Sequence, residues 1–213
     1  MSSRRPRPNQ GKQAWSTFVL NHAQSVLASD FFVVVTASFR VLYVFVVLEV
    51  GTRRIVPWNV TTHPTAEWTT QQFRMIVPGD QGHRFVIHDR DAIYSERVDR
   101  ALEAMGLVVL RTPVRAPQAN AFCERLIGTI RRECLDFVIP MSERHLRAVL
   151  RDWCAHYNRG RPHASLGPGI PQPPLADWID TSTGHRLPHG YRVAARPILG
   201  GLHHEYRLER EAA

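Results

Sequence analysis

Two long apolar runs, SDFFVVVT at residues 29–36 and RVLYVFVVLE at 40–49, constrain this chain more than any other feature. Neither alternates polar with apolar residues, as a strand with one wet face does. Runs of this length, rich in valine and aromatics, suit strands covered on both faces. They belong in the middle of a sheet, and such a sheet needs helices over it. A third run, RRIVPWNVT at 53–61, follows closely. The connections, Ser38-Phe39 and Gly51-Thr52, are too short for a crossover, so the three strands are expected to be antiparallel neighbours.

Downstream, the pattern switches between strand and helix. A helix is expected over Thr65–Ile76 with Pro64 at its first turn. A strand follows at 84–88 (RFVIH), then a helix over Glu96–Met105 stopped by Gly106, then a strand at 107–110 (LVVL). Strands joined through helices run parallel. The expected fold class is therefore α/β: a five-stranded mixed sheet, three antiparallel strands and then parallel ones, with helices on both faces. Two longer helices follow. Gln118–Val138 carries one stripe of Cys123, Leu126, Ile127, Ile130, Cys134, Phe137 and Val138 at helical spacing. Ser142–Tyr157 has Ser142 as its cap and Leu146, Val149, Leu150 and Trp153 facing inward. Residues 1–14 are expected to be a disordered basic tail, with a lead-in helix over 15–27. The core would span 15–165, and 166–213 would be an extended segment with a small hairpin in YRVAARPILGGLHHEYRL.

Composition narrows the function. The net charge is +8, and all but one of the 27 basic residues are arginine. Arginine presents a planar fork that matches phosphate, so the charge points towards a polyanion such as nucleic acid, although a GC-rich genome would also enrich arginine. Cys123, Cys134 and Cys154 form neither a CxxC pair nor an even set, so zinc and disulfides are not expected and a reducing cytoplasm is. His63, His88 and His163 lack the paired spacing of a zinc site and read as ordinary loop histidines. No signal peptide is visible, and the apolar stretch Val41–Val50 is about half of a membrane span.

Three acids stand out by position. Asp30 lies in an otherwise apolar strand, where an unpaired carboxylate is costly and needs a cation, backbone donors or a metal. Asp89 directly follows RFVIH, at a strand end where ligand-binding groups collect in α/β sheets. Glu124 borders the buried stripe of its helix, about 100° round from Cys123. Each also has a plain structural reading: Asp89 as a turn former, Glu124 as a complement to the helix dipole, Asp30 as a strand end. Asp91 competes with Asp89, while Glu49, ending its strand, reads as structural.

Taken together, HDRDAIYS, PVRAPQANAFCERLIGTIRRECLD and HYNRGRPHASLG resemble the catalytic core of bacterial insertion-sequence transposases and retroviral-type integrases, the acidic-triad superfamily with a ribonuclease H-like fold. SDFFVVVT and VLYVFVVLEVGTRRIV are similar to that family's opening strands. The resemblance runs from about residue 15 to the C-terminus. It implies that Asp30, Asp89 and Glu124 are the first, second and third catalytic acids and the metal ligands. Thirty-four residues lie between Asp89 and Glu124, within the family's spacing.

What the resemblance implies is metal-dependent phosphodiester cleavage and strand transfer in DNA integration and recombination. Two Mg²⁺ or Mn²⁺ ions would serve during catalysis, without a small-molecule cofactor. Partners would be DNA, as transposon ends and target, and further copies of the chain assembled on it, in a bacterial cytoplasm at the nucleoid and not in a membrane. Arg125, Arg131, Arg132, Asn120 and Gln118 would touch DNA, and Tyr157, Asn158, Arg161, Pro162 and His163 would order the turn after the catalytic helix. The sequence departs from the family at Asp91-Ala92, where a glycine is common, and at the valines after Asp30. A basic tail stands where full-length relatives carry a helix-turn-helix. The alternative expectation is therefore a truncated, catalytically idle remnant that only binds DNA or dimerises. A ribonuclease acting on RNA–DNA hybrids ranks third.

Overall fold

The computed structural model describes residues 10–77, 82–112, 120–167, 169–173, 187 and 189–211. They divide into two compact units, drawn from residues 1–34 with 41–129 and from residues 35–40 with 130–213.

The first unit holds the sheet. Strands β1 (Val26–Val35), β2 (Val41–Glu49), β3 (Ile55–Thr61), β4 (Phe85–His88) and β5 (Val108–Arg111) lie in the order β3-β2-β1-β4-β5. Strands β2 and β3 are antiparallel, whereas β4 runs parallel to both β1 and β5. Helices α1 (Gln10–Asn21), α2 (Ala66–Arg74), α3 (Glu96–Ala104) and α4 (Ala121–Glu133) are interleaved with them, α4 running on into the second unit. This is the α/β, helix-flanked five-stranded mixed sheet expected from the sequence.

Local chemistry explains most of the boundaries. Thr65 caps α2 by accepting from the Trp68 amide at 3.2 Å, so Pro64 lies just before the helix and not in its first turn. Gly106, at φ +87°, ends the α3 segment in a left-handed conformation that a side chain would resist. Pro57 sits in β3, an edge strand, where its missing N–H costs no ladder bond. One core forms between sheet and helices from Leu27, Phe45, Val86, Phe73, Val98 and Leu102, among others.

Three expectations need correction. Helix α1 begins at Gln10, inside the stretch expected to be an unstructured tail, and ends before β1 starts at Val26. The end of β1 alternates, with Val33 and Val35 exposed, so only its first half is covered on both faces. The helix expected over Gln118–Val138 stops at Glu133. Cys134 leaves helical geometry at φ −141°, and a 3-10 turn follows that leaves Phe137 exposed. The apolar spacing continued past the break, which is why the pattern overran it.

Glu49 anchors the β2–β3 turn. Its carboxylate accepts from Thr52 Oγ1 (2.6 Å) and from Arg54 Nε and Nη2 (3.1 and 2.7 Å), and His83 Nε2 lies 3.2 Å away. Burial alone would raise this carboxyl, but the bonds from His83, Arg54 and Thr52 outweigh it and hold it at about 2. A depressed folded value stabilises the protein above the unfolded value of 4.5, and that stability is lost as pH falls towards 2. Glu49→Gln is expected to cost about 1–3 kcal/mol at pH 7. Urea titrations at several pH values check it: the gap to wild type should close as pH approaches 2.

The second unit contains α5 (Glu143–Arg159) and an antiparallel hairpin of β6 (Tyr191–Ile198) and β7 (His203–Arg210). Ser142 caps α5 by accepting from the His145 amide at 3.2 Å, and Leu146, Val149, Leu150 and Trp153 are buried, as expected. Arg161 holds Glu133 through two bonds, Nε to Oε2 at 2.7 Å and Nη2 to Oε1 at 2.6 Å. His163 lies in the loop after α5, buried and edge-on to Tyr157. Cys123, Cys134 and Cys154 are free and buried.

Candidate functional site

Asp30, Asp89 and Glu124 come from three elements: the middle of β1, the residue after β4 and the first turn of α4. Asp30 is partly buried. Its Oδ1 accepts from the Phe31 amide at 2.8 Å, and its Oδ2 lies 3.4 Å from Asn120 Nδ2. Asp89 Oδ1 accepts from the Asp91 amide at 3.0 Å, which shapes the loop leaving β4. Glu124 is exposed on α4.

The acids share one electrostatic neighbourhood. Burial pushes the Asp30 carboxyl up from 3.8 to about 7, the Phe31 amide opposes the shift, and the negative charges of Asp89, Glu124 and Asp91 add to it. The Cys123 thiol, fully buried, is raised well above its ordinary value by burial first and then by Asp30, Asp89 and Glu124. Asp91 acts on Asp30 less than Asp89 does, and its own Oδ1 accepts from the Ile93 amide at 2.9 Å.

A raised carboxyl has a testable sign. Asp30 contributes most to stability below its unfolded value of 3.8 and opposes folding as pH rises through about 7. In metal-free protein, Asp30→Asn is expected to raise the Tm at pH 8, with the gain vanishing below pH 4. Thermal scans in a chelator check this.

Oxygen donors under a field of one sign fit a hard divalent cation such as Mg²⁺ or Mn²⁺. The side chains as placed do not close round one: among the described residues no three His, Cys, Asp or Glu side chains are gathered closely enough to hold a metal ion. Charge and donor chemistry therefore fit the group, while the ligand shell is open.

The expected DNA-contacting residues separate. Arg125, Arg131 and Arg132 are exposed on α4. Asn120 is not at the surface; it is 3% exposed and donates to Ser29 O at 3.2 Å, and its own Oδ1 is buried with no hydrogen-bond partner among the described residues. Its place is behind Asp30. Gln118 lies outside the described residues. His88, read from the sequence as a loop histidine, is the buried last residue of β4. Its partner Asp99 was missed because the surrounding stretch ERVDRALEA reads as an ordinary amphipathic helix. No helix among the described residues is long and apolar enough to cross a membrane.

An integrase core domain family matches residues 105–171, which include Glu124. By sequence, part of the chain is similar to insertion-element proteins, and by fold it is similar to transposase and integrase catalytic domains. The relatives by sequence are bacterial insertion-element proteins. One from Xanthomonas euvesicatoria, the insertion element IS476 uncharacterized 39.2 kDa protein, is 36% identical over 73 residues, 34% of this chain and 21% of that protein. One from Burkholderia multivorans, the insertion element IS407 uncharacterized 31.7 kDa protein, is 32% identical over 87 residues, 41% of this chain and 28% of that protein. The matches thus span about a quarter of those relatives' lengths. Among solved structures, the catalytic domain of Mos1 mariner transposase aligns with a TM-score of 0.57 at 13% identity, covering 73% of this chain and 85% of that one. The catalytic core domain of BIV integrase aligns at 0.51 and 13%, covering 70% and 91%. At such identities the likeness is one of fold.

Proposed function

We propose that this chain is the catalytic core of a DNA transposase or integrase that cleaves phosphodiester bonds and transfers DNA strands, with Asp30, Asp89 and Glu124 as its acidic triad. The observation that carries the reading is that burial, joined by the negative charges of Asp89 and Asp91 after β4 and of Glu124 on α4, raises the Asp30 carboxyl to about 7. A structural carboxylate would be expected to have a cationic partner, as Glu49 does. A carboxyl raised by burial beside further carboxylates is instead a pattern of functional sites.

Asp30, Asp89 and Glu124 would hold Mg²⁺ or Mn²⁺, two ions during catalysis. The bound cations supply stabilisation of the attacking and leaving oxygens of an in-line displacement at phosphorus. The chain's own residues do the rest. Asn120 approaches the Asp30 carboxylate, its Nδ2 lying 3.4 Å from Oδ2. Arg125, Arg131 and Arg132 meet the phosphates of the DNA backbone, which fixes register without reading sequence. Water attacks the phosphorus in end cleavage, its P–O bond forming as the bond to the 3′-oxygen breaks and leaves a 3′-hydroxyl. That hydroxyl then attacks a target phosphate, its oxygen joining the phosphorus as the bond to the target's 3′-oxygen breaks and leaves a new 3′-hydroxyl. The protein would act as a multimer on transposon ends and target, in the bacterial cytoplasm at the nucleoid.

The open ligand shell favours a second reading: a DNA-binding relative without catalysis. Incubation of supercoiled plasmid with Mg²⁺ or Mn²⁺ separates the two. The first reading expects metal-dependent nicks; retarded DNA that is never nicked, from folded protein that binds the metal, favours the second.

A further inference from the structure

Behind Asp89 lies a polar chain that the proposed triad does not use. His88, at the end of β4, is 1% exposed, and each of its ring nitrogens faces an oxygen. Nδ1 lies 2.6 Å from the backbone carbonyl oxygen of Asp89, and Nε2 lies 3.0 Å from Asp99 Oδ1. Asp99 is itself buried in the first turn of α3. Its second oxygen, Oδ2, accepts from Arg111 Nε at 2.5 Å and pairs with Arg111 Nη2 as well. Arg111 ends β5 directly opposite His88 in the parallel register, so one hydrogen-bonded chain spans β4, α3 and β5.

The same ring is fixed from its face. Tyr94 stacks on His88 with centroids 4.3 Å apart and planes at 12°. The Tyr94 hydroxyl donates to Ser29 Oγ at 3.0 Å, and Ser29 is the residue before Asp30. One aromatic pair is therefore tied to the neighbours of both acids on the sheet. Burying an aspartate and a histidine costs desolvation that an apolar pair would not, and the sequence has apolar residues throughout the adjoining core. A chain serving only stability would not need to spend His88 Nδ1 on the carbonyl of the acid beside it.

We propose that His88, Asp99 and Arg111 form a positioning clamp that holds Asp89 in place at the end of β4, with Tyr94 coupling the clamp to the strand of Asp30. The purpose of the clamp rests on the proposed role of Asp89, but its existence does not. Outer-shell partners of this kind orient a ligating side chain, and their loss costs about 10–100-fold in metal affinity or activity.

The test begins in metal-free protein, with backbone ¹⁵N relaxation of wild type, Asp99→Asn, Arg111→Ala and Arg111→Lys. Order parameters at Asp89, Arg90 and Asp91 are expected to fall from about 0.85 to below about 0.6 in Asp99→Asn and Arg111→Ala. Those of β2 and β3 should stay unchanged, and Arg111→Lys should recover part of the order. Arg111 is half exposed, so its variants carry the test should Asp99→Asn not fold. Unchanged order at 89–91 in folded Arg111→Ala would overturn the clamp. Mn²⁺ titration followed by electron paramagnetic resonance is the second readout, with affinity expected to weaken about 10–100-fold in Arg111→Ala. A wild type that binds no Mn²⁺ would strike the proposed function alone, since the order parameters decide the clamp without metal.

Discussion

Asp89→Asn and Glu124→Gln are each expected to abolish metal-dependent nicking of supercoiled DNA in a protein that still folds. Both changes keep side-chain shape and remove one negative charge. Asp89 is half buried and Glu124 exposed, so the stability cost should stay within about 0.5 kcal/mol, the usual range for surface substitutions. The activity loss should exceed the roughly 10–100-fold typical of removing an outer-shell partner, because a direct ligand would be gone. Asp91→Asn is the control. Asp91 lies in the same loop and acts on Asp30, but more weakly than Asp89, and it is exposed. It should keep most of the activity. Rates measured on one plasmid preparation across the three variants decide whether Asp89 or Asp91 is the second acid.

The second large effect is on stability. Phe45, fully buried in β2, contacts Phe31, Phe73 and Trp68 with ring centroids 5.0, 5.5 and 6.0 Å away. Truncating it removes a large transfer free energy and leaves a cavity that three rings from β1 and α2 cannot all collapse into. Phe45→Ala is expected to cost about 3–5 kcal/mol, against a total stability of order 5–15 kcal/mol for a domain. Phe137→Ala removes the same atoms from an exposed 3-10 turn and should cost no more than about 0.5 kcal/mol. Denaturant midpoints of the two variants, read side by side, check both values.

The sheet was legible because its signals are local. Two unbroken apolar runs with short connections fix three antiparallel strands, and Gly106 marks where a helix gives way to β5. The termination of α4 was not legible. Nothing in Cys134-Leu135-Asp136-Phe137 forbids a helix, and the break shows only in the backbone angles. Site residues divide in the same way. Asp30 stands out as a carboxylate in an apolar strand, a conflict visible in one dimension. Asn120 carries no such signal; its place behind Asp30 arises because the chain returns to β1 from 90 positions away. His88 and Asp99 are 11 apart, on a strand and a helix, a spacing with no periodic signature. Paired buried polar groups of this kind appear only when the tertiary partners are known.

The most direct measurement is Mn²⁺ binding to wild type, Asp30→Asn and Glu124→Gln, followed by electron paramagnetic resonance between pH 6 and 8. A ligating carboxylate must be ionised, so affinity should rise as pH passes the Asp30 value of about 7. Saturable binding by wild type that strengthens across that range is expected, with at least roughly tenfold weaker binding by each variant. Equal affinity in all three proteins, or none in folded wild type, would contradict the triad.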